Sequence, residues 1–522
     1  MENSAAVLCA RGIEKWFGGV QALKGVDLEV MPSEIHCLCG ENGCGKSTII
    51  KVISGVHDAD AGEIILNGNT YHKLTVRQAI NEGVQVIYQD LSLFSRMTVA
   101  ENIAINKMIG LDKKMISWSE INRIAVEQLD RIGVSMNLRS TIEENSISNR
   151  QLVAICRALS MDAKILFLDE PTTALTHTEV DRLLEIVTNL KKDGMSIVFV
   201  SHKLDEVMKI ADKVTVLRDG IRTGELDSSD LVNKEEAEKQ LIYYMTGRHV
   251  DYTRFVPNEQ NVKRTVLEVK NLTRAPQYKG LNLSVESGEI LGITGLLGSG
   301  RTEFALSLFG MNPPDSGEII IGGKSGIPKS PRDAIARGLA LVPEERQTQG
   351  VFMKRSIEEN VASVSLKEIS TKAGILQKAK SHSMADETIR SWGVKAPSRE
   401  TLVSQLSGGN QQKVALGRWA RIMPQVLIFD SPTVGVDIGS KSEIYEKIQT
   451  IANTNVGVVL ISDDIPELLA NCTRILVFSN GEIIRSFSKE EIESEGIRHE
   501  IEDSVSRGTE KEEKDAEPKA AV

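Results

Sequence analysis

The strongest constraint on the fold of this 522-residue chain is an internal repeat of about half its length. Four pairs hold the register, the first two at an offset of 255 residues and the last two at 261: 40–48 with 295–303, Asp90 with Glu345, Asp169 with Asp430, and His202 with Asp463. Chance similarity would not keep register over such distances. The chain therefore predicts two copies of one fold, with a net insertion of six residues in the second copy.

The repeat also predicts where the copies begin and end. The first copy covers 1–248 and the second covers 265–502, and a polar linker over 249–264 is too short to hold another domain. Residues 503–522 are charged and show no apolar periodicity, so we expect a disordered tail there.

Within each copy, short β-rich runs alternate with longer amphipathic stretches such as Glu179–Lys192. The runs of the first copy are Ile35–Cys39, Ile165–Leu168, Ile197–Val200 and Val214–Leu217. This alternation predicts an α/β fold, with a sheet flanked by helices in each copy. Cys37 and Cys39 alternate along the first run, so we expect both on one side of a buried strand.

Composition and charge exclude several classes of protein. With 41% hydrophobic and 26% charged residues the composition is that of a soluble globular protein. No apolar run approaches the roughly 18 residues that cross a bilayer, and the start, MENSAAVLCARG, lacks the pattern of a secretory signal. The net charge of −10 argues against a nucleic-acid partner. The six cysteines have no paired CxxC spacing that would indicate zinc or disulfides.

The segment 40–48, GENGCGKST, follows an apolar strand and precedes a helical run, which is the setting of a phosphate-binding P-loop. Its glycines let backbone N–H groups reach phosphate oxygens, while Lys46 suits the β- and γ-phosphates and Ser47 suits Mg²⁺. A glycine-rich turn without a ligand is the alternative, and the strand and helix on either side argue against it. The predicted ATP-binding residues are Gly40, Glu41, Asn42, Gly43, Cys44, Gly45, Lys46, Ser47 and Thr48.

A second motif, ILFLDEP, places two carboxylates at the end of a predicted buried strand. Asp169 is the candidate for the metal, and Glu170 is the candidate general base for the attacking water. An Asp-Glu pair at a strand end is often only a solvated cap, but its combination with a P-loop favours catalysis.

The segment LSGGNQQK at 406–413 resembles the signature motif of ABC ATPases, which is more specific than a P-loop. With Gln89 as the Q-loop glutamine and His202 as the switch histidine, the resemblance covers nearly the whole chain. GLLGSGRTE and VPEER in the second copy are similar to the ATPase subunits of bacterial ribose, galactose and xylose importers. The resemblance implies two tandem P-loop NTPase domains, each a RecA-like α/β core with an antiparallel β subdomain and a helical subdomain.

This family also implies that the two copies pair head to tail, so that each ATP lies between one P-loop and the other copy's signature. Adenine would then stack on an aromatic upstream of the first strand. Phe17 fits better and Trp16 is the alternative, while core packing stays open for either residue. Besides the P-loop, the first composite site would contain Gln89, Glu170 and His202 as catalytic residues, Ser47, Gln89 and Asp169 on the metal, and Ser407, Gly408 and Gly409 as the signature.

The other composite site carries substitutions at most of these positions. Its residues are Gly295, Gly298, Gly300 and Thr302 of the P-loop, Arg301 for lysine, Glu344 for glutamine, Asp430, Ser431 for glutamate, Asp463 for histidine, and the opposing Ser146 and Ser148 of NSISN. Ser148 stands where the better signature has Gly409, while Asp430 and Thr302 can still support Mg²⁺. We expect this site to hold ATP as a structural clamp, or to hold nothing, and not to turn over. Ser431 and Ser148 also depart from what the importer family usually carries, which weakens any carry-over of substrate.

The resemblance implies an ATP-hydrolysing importer subunit, peripheral on the cytoplasmic face of the cell membrane. It would act with transmembrane permease subunits and, indirectly, with an extracytoplasmic substrate-binding protein in the uptake of a sugar, by default a monosaccharide. Nucleoside and furanosyl-signal importers have similar ATPases, so the substrate stays open. A ribosome-associated ABC factor is the alternative class, but such factors usually carry a long basic linker and two intact sites.

Two further points stay open on the sequence alone. The segments after Gln89 and after Glu344 would contact the permease, or each would be an ordinary surface helix. The thiol of Cys44 lies inside the P-loop, where its alkylation would block ATP, or where the loop would shield it.

Overall fold

The computed structural model describes residues 6–505 apart from 111–116, 174, 176, 249–253, 259–262, 297 and 495. The chain divides into two compact units, Met1–Val250 and Asp251–Val522. Among the described residues, no helix has both the length and the apolar character needed to cross a membrane.

The first unit contains ten strands and eight α-helices in its described part. The strands are β1 (Leu8–Phe17), β2 (Val20–Val30), β3 (Ile35–Cys39), β4 (Ala61–Leu66), β5 (Asn69–Tyr71), β6 (Val84–Ile87), β7 (Ile165–Asp169), β8 (Ser196–Val200), β9 (Lys213–Arg218) and β10 (Ile221–Asp227). The helices are α1 (Lys46–Ile53), α2 (Val76–Asn81), α3 (Val99–Gly110), α4 (Trp118–Arg131), α5 (Ile147–Leu159), α6 (His177–Lys192), α7 (Leu204–Ile210) and α8 (Lys234–Thr246).

The described part of the second unit repeats this inventory. Its strands are β11 (Thr265–Arg274), β12 (Tyr278–Glu286), β13 (Ile290–Gly295), β14 (Ser316–Ile321), β15 (Lys324–Ser325), β16 (Leu339–Val342), β17 (Val426–Asp430), β18 (Gly457–Ile461), β19 (Arg474–Ser479) and β20 (Glu482–Phe487). Its helices are α9 (Arg301–Leu308), α10 (Pro331–Ala336), α11 (Ile357–Ala362), α12 (Lys378–Trp392), α13 (Gly408–Ala420), α14 (Ile438–Ala452), α15 (Ile465–Asn471) and α16 (Lys489–Ile492).

Each unit has one antiparallel sheet and one mainly parallel sheet with the same topology. The four-stranded sheets have the orders β2-β1-β4-β5 and β12-β11-β14-β15. The six-stranded sheets have the orders β10-β9-β3-β8-β7-β6 and β16-β17-β18-β13-β19-β20, and only β9 with β10 and β19 with β20 pair antiparallel. The predicted α/β fold with tandem copies is confirmed.

The central strands are buried because they are apolar on both faces. β3, β7 and β8 are buried along their whole length, as are β13, β17 and β18, which is typical of parallel strands covered by helices on both sides. Cys37 and Cys39 both lie in β3 and are fully buried, as predicted. A separate group of helices, α3 to α5 in the first unit and α11 to α13 in the second, packs together as the helical part of each unit.

The six extra residues of the second copy lie at two places in the chain. Thr98 and Ser356 begin α3 and α11 in matching capping boxes with Glu101 and Glu359, at an offset of 258 residues. Three of the six extra residues therefore precede this position. There, Arg346–Gly350 forms a π-helical turn in the second unit.

The structure differs from the predicted boundaries at two places. Phe255, inside the predicted linker, is buried in the core of the second unit, and its N–H donates to the carbonyl of Ala470. At the other end, a helical stretch over 497–505 extends past the predicted start of the tail, and Val505 packs against the same core. The rest of the predicted tail, 506–522, lies outside the described residues.

Candidate functional site

The first P-loop connects the buried strand β3 to α1, and its backbone requires glycine. Gly40 has a φ of +148°, and a Cβ there would lie 2.2 Å from the carbonyl oxygen of Leu217. Gly45 has a φ of +112° and directly precedes α1, whose first residue is Lys46. The free N–H groups and the dipole at the N-terminus of α1 therefore meet at this turn, which is the arrangement that binds phosphate.

Lys46 is almost fully buried within this loop. Its Nζ donates to the carbonyl oxygens of Gly40 at 2.7 Å and Glu41 at 3.0 Å. The neighbouring Ser47 is exposed, and its hydroxyl is hydrogen-bonded to the carboxylate of Asp169 at the end of β7. A cation held by the loop and the strand end would find both oxygens at one place.

Cys44 is shielded by the loop that contains it. The side chain is 4% exposed, belongs to the hydrophobic core of the unit, and has its Sγ 4.0 Å from Lys46 Nζ. Burial raises the pKa of the thiol, although the charge of Lys46 opposes this effect. A buried thiol with a raised pKa is unreactive, so the structure favours the shielding hypothesis.

The strand-end carboxylates have different surroundings. Glu170 follows β7 with a φ of +48°, and its N–H donates to the carbonyl of Val200. Its Oε1 lies 3.3 Å from His202 Nδ1. This hydrogen bond lowers the pKa of Glu170, whereas burial raises the pKa of Asp169. The geometry therefore joins the candidate base to the candidate switch histidine.

Other predicted residues of the first unit lie at the surface. Gln89 follows β6 and is exposed. Phe17 ends β1 and is 44% exposed, while Trp16 beside it is 46% exposed. Phe17 stacks edge-on with His57 at a centroid distance of 5.2 Å. Both aromatics are too exposed for core packing, so that alternative is excluded, and either one is available to stack on a ligand.

The signature segment of the second unit forms the start of α13. Ser407 is the exposed N-cap residue, and its Oγ accepts a hydrogen bond from Asn410. A Cβ at Gly409 would approach Ser440 Oγ to 2.7 Å, and one at Gly408 would approach Arg346 Nη2 to 2.8 Å. A side chain at either position would therefore force a neighbouring side chain to move.

The corresponding segment of the first unit lacks this packing. Ser146 is the N-cap residue of α5, and its Oγ accepts from the N–H of Asn149. Ser148 lies one position beyond Ile147 and is half-buried. Ile147 stands where the second unit has Gly408 and is 52% exposed. Ser148 was predicted from the motif, whereas Ile147, which is the larger change, was not.

At its described glycines, the second P-loop has the backbone conformation of the first. Gly295 and Gly300 have φ values of +152° and +94°, and Gly298 has +81°. A Cβ at Gly295 would lie 2.2 Å from the carbonyl oxygen of Phe478, the counterpart of the contact at Gly40. Thr302 is hydrogen-bonded to Asp430, as Ser47 is to Asp169.

The side chains around this second loop carry different charges. Arg301 Nη1 lies 2.5 Å from Asp463 Oδ1, and its Nη2 donates to the carbonyl of Leu296 at 3.2 Å. Burial, with smaller contributions from the charges of Glu344 and Asp463, raises the pKa of Asp430 to about 6. The pKa of Glu344 is also raised, by burial and by Asp463. Ser431 takes the place of Glu170 and has the same φ of +48°.

An arginine on each signature helix holds the segment that follows the Q-loop position. Arg157 donates to the carbonyl oxygens of Leu91 at 2.8 Å and Ser92 at 2.7 Å. Its counterpart Arg418 donates to the carbonyl oxygen of Gly350. Burial lowers the pKa of both arginines, to about 10 for Arg418. Sequence analysis missed this pair, although their common offset of 261 residues could have revealed it.

Arg346 is a further residue that the motifs did not identify. It donates to the carbonyl oxygens of Val434 at 2.9 Å and Gly435 at 3.1 Å, beside the signature residue Gly408. It lies in the stretch 346–355, which is three residues longer than its counterpart 91–97, so the repeat does not assign it a partner in the first copy.

The oxygens present fit a magnesium ion that is bound largely by nucleotide. Within the described ranges, no group of three or more His, Cys, Asp or Glu side chains could hold a metal by itself. Mg²⁺ typically takes one or two protein ligands and completes its shell with phosphates and water. The pairs Ser47 with Asp169 and Thr302 with Asp430 match that requirement.

A loop that cradles phosphate and a strand-end carboxylate that can activate water are the two parts of a P-loop nucleoside triphosphatase. The fold and the site of the first unit define that class.

Comparison with known proteins narrows the class. The ABC transporter family matches residues 23–173 and 278–434, once in each unit. The ribose import ATP-binding protein RbsA of Bacillus licheniformis is 37% identical over 93% of this chain and 97% of its own length. RbsA of Chelativorans sp. is 40% identical over 90% and 91% of the two chains. The D-allose import ATP-binding protein AlsA of Escherichia coli is 39% identical over 93% and 96%. The chain belongs to the ABC transporter family, as an ATP-binding ATPase with two ABC domains.

Proposed function

We propose that this protein is the ATPase subunit of an importer that takes up a sugar, by default a monosaccharide, through separate permease subunits. It would work at the cytoplasmic face of the cell membrane, and an extracytoplasmic binding protein would deliver the substrate. Relatives named for ribose and allose import support the sugar. Co-purification with permease subunits is the expected result, and co-purification with ribosomal RNA would contradict this reading.

The single observation that carries the catalytic part is the contrast between the two strand ends. Glu170 lies beside His202 and keeps an ionised carboxylate, because the hydrogen bond lowers its pKa. Ser431 occupies the matching position with the same backbone conformation but has no carboxylate. At this position the first P-loop therefore has a carboxylate beside it that can polarise the attacking water, and the second has a serine that cannot act as a base.

In the proposed mechanism, the P-loop and Lys46 bind the phosphates of ATP, and Ser47 and Asp169 support Mg²⁺. Bound Mg²⁺ would neutralise charge that develops on the phosphates. Glu170 orients and polarises water, and His202 holds the Glu170 carboxylate. The signature residues Ser407, Gly408 and Gly409 complete the site when the two units pair head to tail, with Gln89 at its edge and Phe17 on the adenine.

The test compares two matched substitutions in the full chain. Glu170→Gln should reduce ATPase kcat by about a hundredfold or more, the usual contribution of a general base. Ser431→Ala should leave kcat within about twofold, because the serine has no base to lose. ATP binding by the Glu170→Gln protein should persist, which separates lost chemistry from lost folding. Substantial turnover by Glu170→Gln would refute the asymmetric mechanism.

A further inference from the structure

Arg301 and Asp463 form an ion pair in the second P-loop, 162 residues apart in the chain. The Arg301 side chain is 8% exposed and the Asp463 side chain is 47% exposed. In the first unit the equivalent Lys46 donates to backbone carbonyls, and the equivalent His202 pairs with Glu170. The basic residue of the second P-loop is thus neutralised by a carboxylate of the same unit.

A P-loop basic residue ordinarily neutralises the β- and γ-phosphates. A γ-phosphate that approached Arg301 would have to displace Asp463 and would then lie next to a carboxylate that had lost its partner. Unlike the first unit, this loop also has a carboxyl, that of Glu344, where Gln89 stands in the repeat, and Glu344 interacts electrostatically with Asp463 and Arg301. Asp463 and Glu344 both act electrostatically on the carboxyl of Asp430, so three acidic groups lie close together here. Like charges at such distances repel strongly in a partly buried site.

The rest of the loop does not share this defect. Gly295, Gly298 and Gly300 keep the backbone of the first P-loop, and α9 begins at Arg301. Backbone N–H groups and a helix N-terminus bind the α- and β-phosphates without help from the basic side chain. The loop can therefore bind the two phosphates of ADP. The γ-phosphate of ATP would be repelled by the carboxylate of Asp463.

We propose that Asp463 sets the nucleotide specificity of the second P-loop. It is the built-in counter-anion of Arg301, so this P-loop accepts ADP in preference to ATP and is not a second ATP site. The inference rests on the proposed function, because it treats the first P-loop as the site of ATP. It differs from both expectations for the second site, because a loop that binds ADP is neither an ATP clamp nor empty.

The experiment measures equilibrium binding of radiolabelled ATP and ADP with Mg²⁺ to the full-length Glu170→Gln protein, which keeps ATP intact. We expect one class of tight ATP site, at the first P-loop, which is lost in Lys46→Ala. A second class, at the second P-loop, should bind ADP at least about tenfold more tightly than ATP, a difference typical of charge repulsion. Asp463→Asn keeps the shape of the side chain and removes its charge. It should tighten ATP binding at the second class about tenfold or more and leave ADP there nearly unchanged.

Two further variants keep the result interpretable. Asp463→His restores the residue of the first copy, and it should tighten ATP binding as Asp463→Asn does. Glu345→Gln removes a nearby negative charge whose carboxylate accepts from Thr348, and it should change neither affinity. Equal ATP and ADP affinities at the second class, or no response to either Asp463 variant, would overturn the inference. Absence of the class that depends on Lys46 would instead contradict the proposed function itself.

Discussion

Asp430 offers a test of the electrostatics of the second unit that needs no nucleotide. The side chain is 3% exposed, and its pKa is raised from the ordinary value of 3.8 to about 6. Asp430→Asn keeps the size of the side chain and removes its ionisation. A shift of about two units corresponds to about 3 kcal/mol between the two protonation states, at about 1.36 kcal/mol per unit.

Whether Asp430→Asn stabilises or destabilises the protein at a given pH depends on whether the folded or the unfolded state binds the proton more tightly. Because the folded pKa lies above the unfolded one, the folded protein keeps the proton at pH values where the unfolded chain has lost it. The contribution to stability is complete below about 3.8 and is lost as the pH rises through about 6. The change in the free energy of unfolding that Asp430→Asn causes should therefore be more favourable at about pH 8 than at about pH 4, by about 3 kcal/mol. This comparison cancels any effect of the substitution that does not depend on pH.

Urea unfolding followed by tryptophan fluorescence is the suitable assay. Trp392 and Trp419 of the second unit are each 8% exposed, whereas Trp16 and Trp118 of the first are 46% and 61% exposed. The change in fluorescence on unfolding will thus report mainly the second unit. A chelator should be present, since a metal ion bound by Asp430 would stabilise its charged form.

An opposite control is available in the same unit. The N–H of Lys329 donates to Asp333 and lowers the pKa of its carboxyl, so the stability that it contributes is lost as the pH falls. Asp333→Asn should consequently be more destabilising at the higher pH. A difference below about 1 kcal/mol for Asp430→Asn, or a difference with the sign of Asp333→Asn, would refute the reasoning.

Two further predictions concern the first unit. Cys44 should react with an alkylating reagent far more slowly than the part-exposed Cys9, and ATP should change its rate little, as mass spectrometry of labelled peptides will show; rapid labelling that ATP prevents would restore the reactive hypothesis. Arg157→Lys should destabilise the protein by about 1–2 kcal/mol in urea unfolding, since a lysine cannot serve the carbonyls of Leu91 and Ser92 together. The exposed Arg123→Lys should stay within about 0.5 kcal/mol, and equal effects of the two would show that the paired contact is unimportant.

The tandem fold could be predicted from sequence because its signals are local. Short apolar runs such as Ile165–Leu168 favour buried strands, and the glycines at 40, 43 and 45 fit a turn with positive φ, which other residues rarely adopt. The repeat then transferred each assignment from one copy to the other. A repeat of this kind predicts the positions of equivalent residues in the two copies, but not their contacts.

Contacts between distant segments could not be predicted in this way. From the sequence, Arg301 and Asp463 stand at the positions of the P-loop lysine and the switch histidine. Each was interpreted separately, as the loss of a residue needed for ATP hydrolysis. The structure shows that they are partners, so the carboxylate of Asp463 neutralises the charge of Arg301. The contacts of Arg346 could not be predicted because it lies in a stretch, 346–355, where the two copies differ in length. The replacement of glycine by Ile147 was not predicted, because the comparison of the two signatures considered the missing glycine at 148 and not the position before it.

Phe255 determines where the two halves of the protein can be exchanged. It precedes the first strand of the second unit by ten residues, yet its ring belongs to the core of that unit. A half expressed from Thr265 onward would leave an unfilled hole there, and losing a buried phenylalanine costs about 3–5 kcal/mol. Chimeras that combine one half of this protein with a half from a relative should therefore cross over before Phe255.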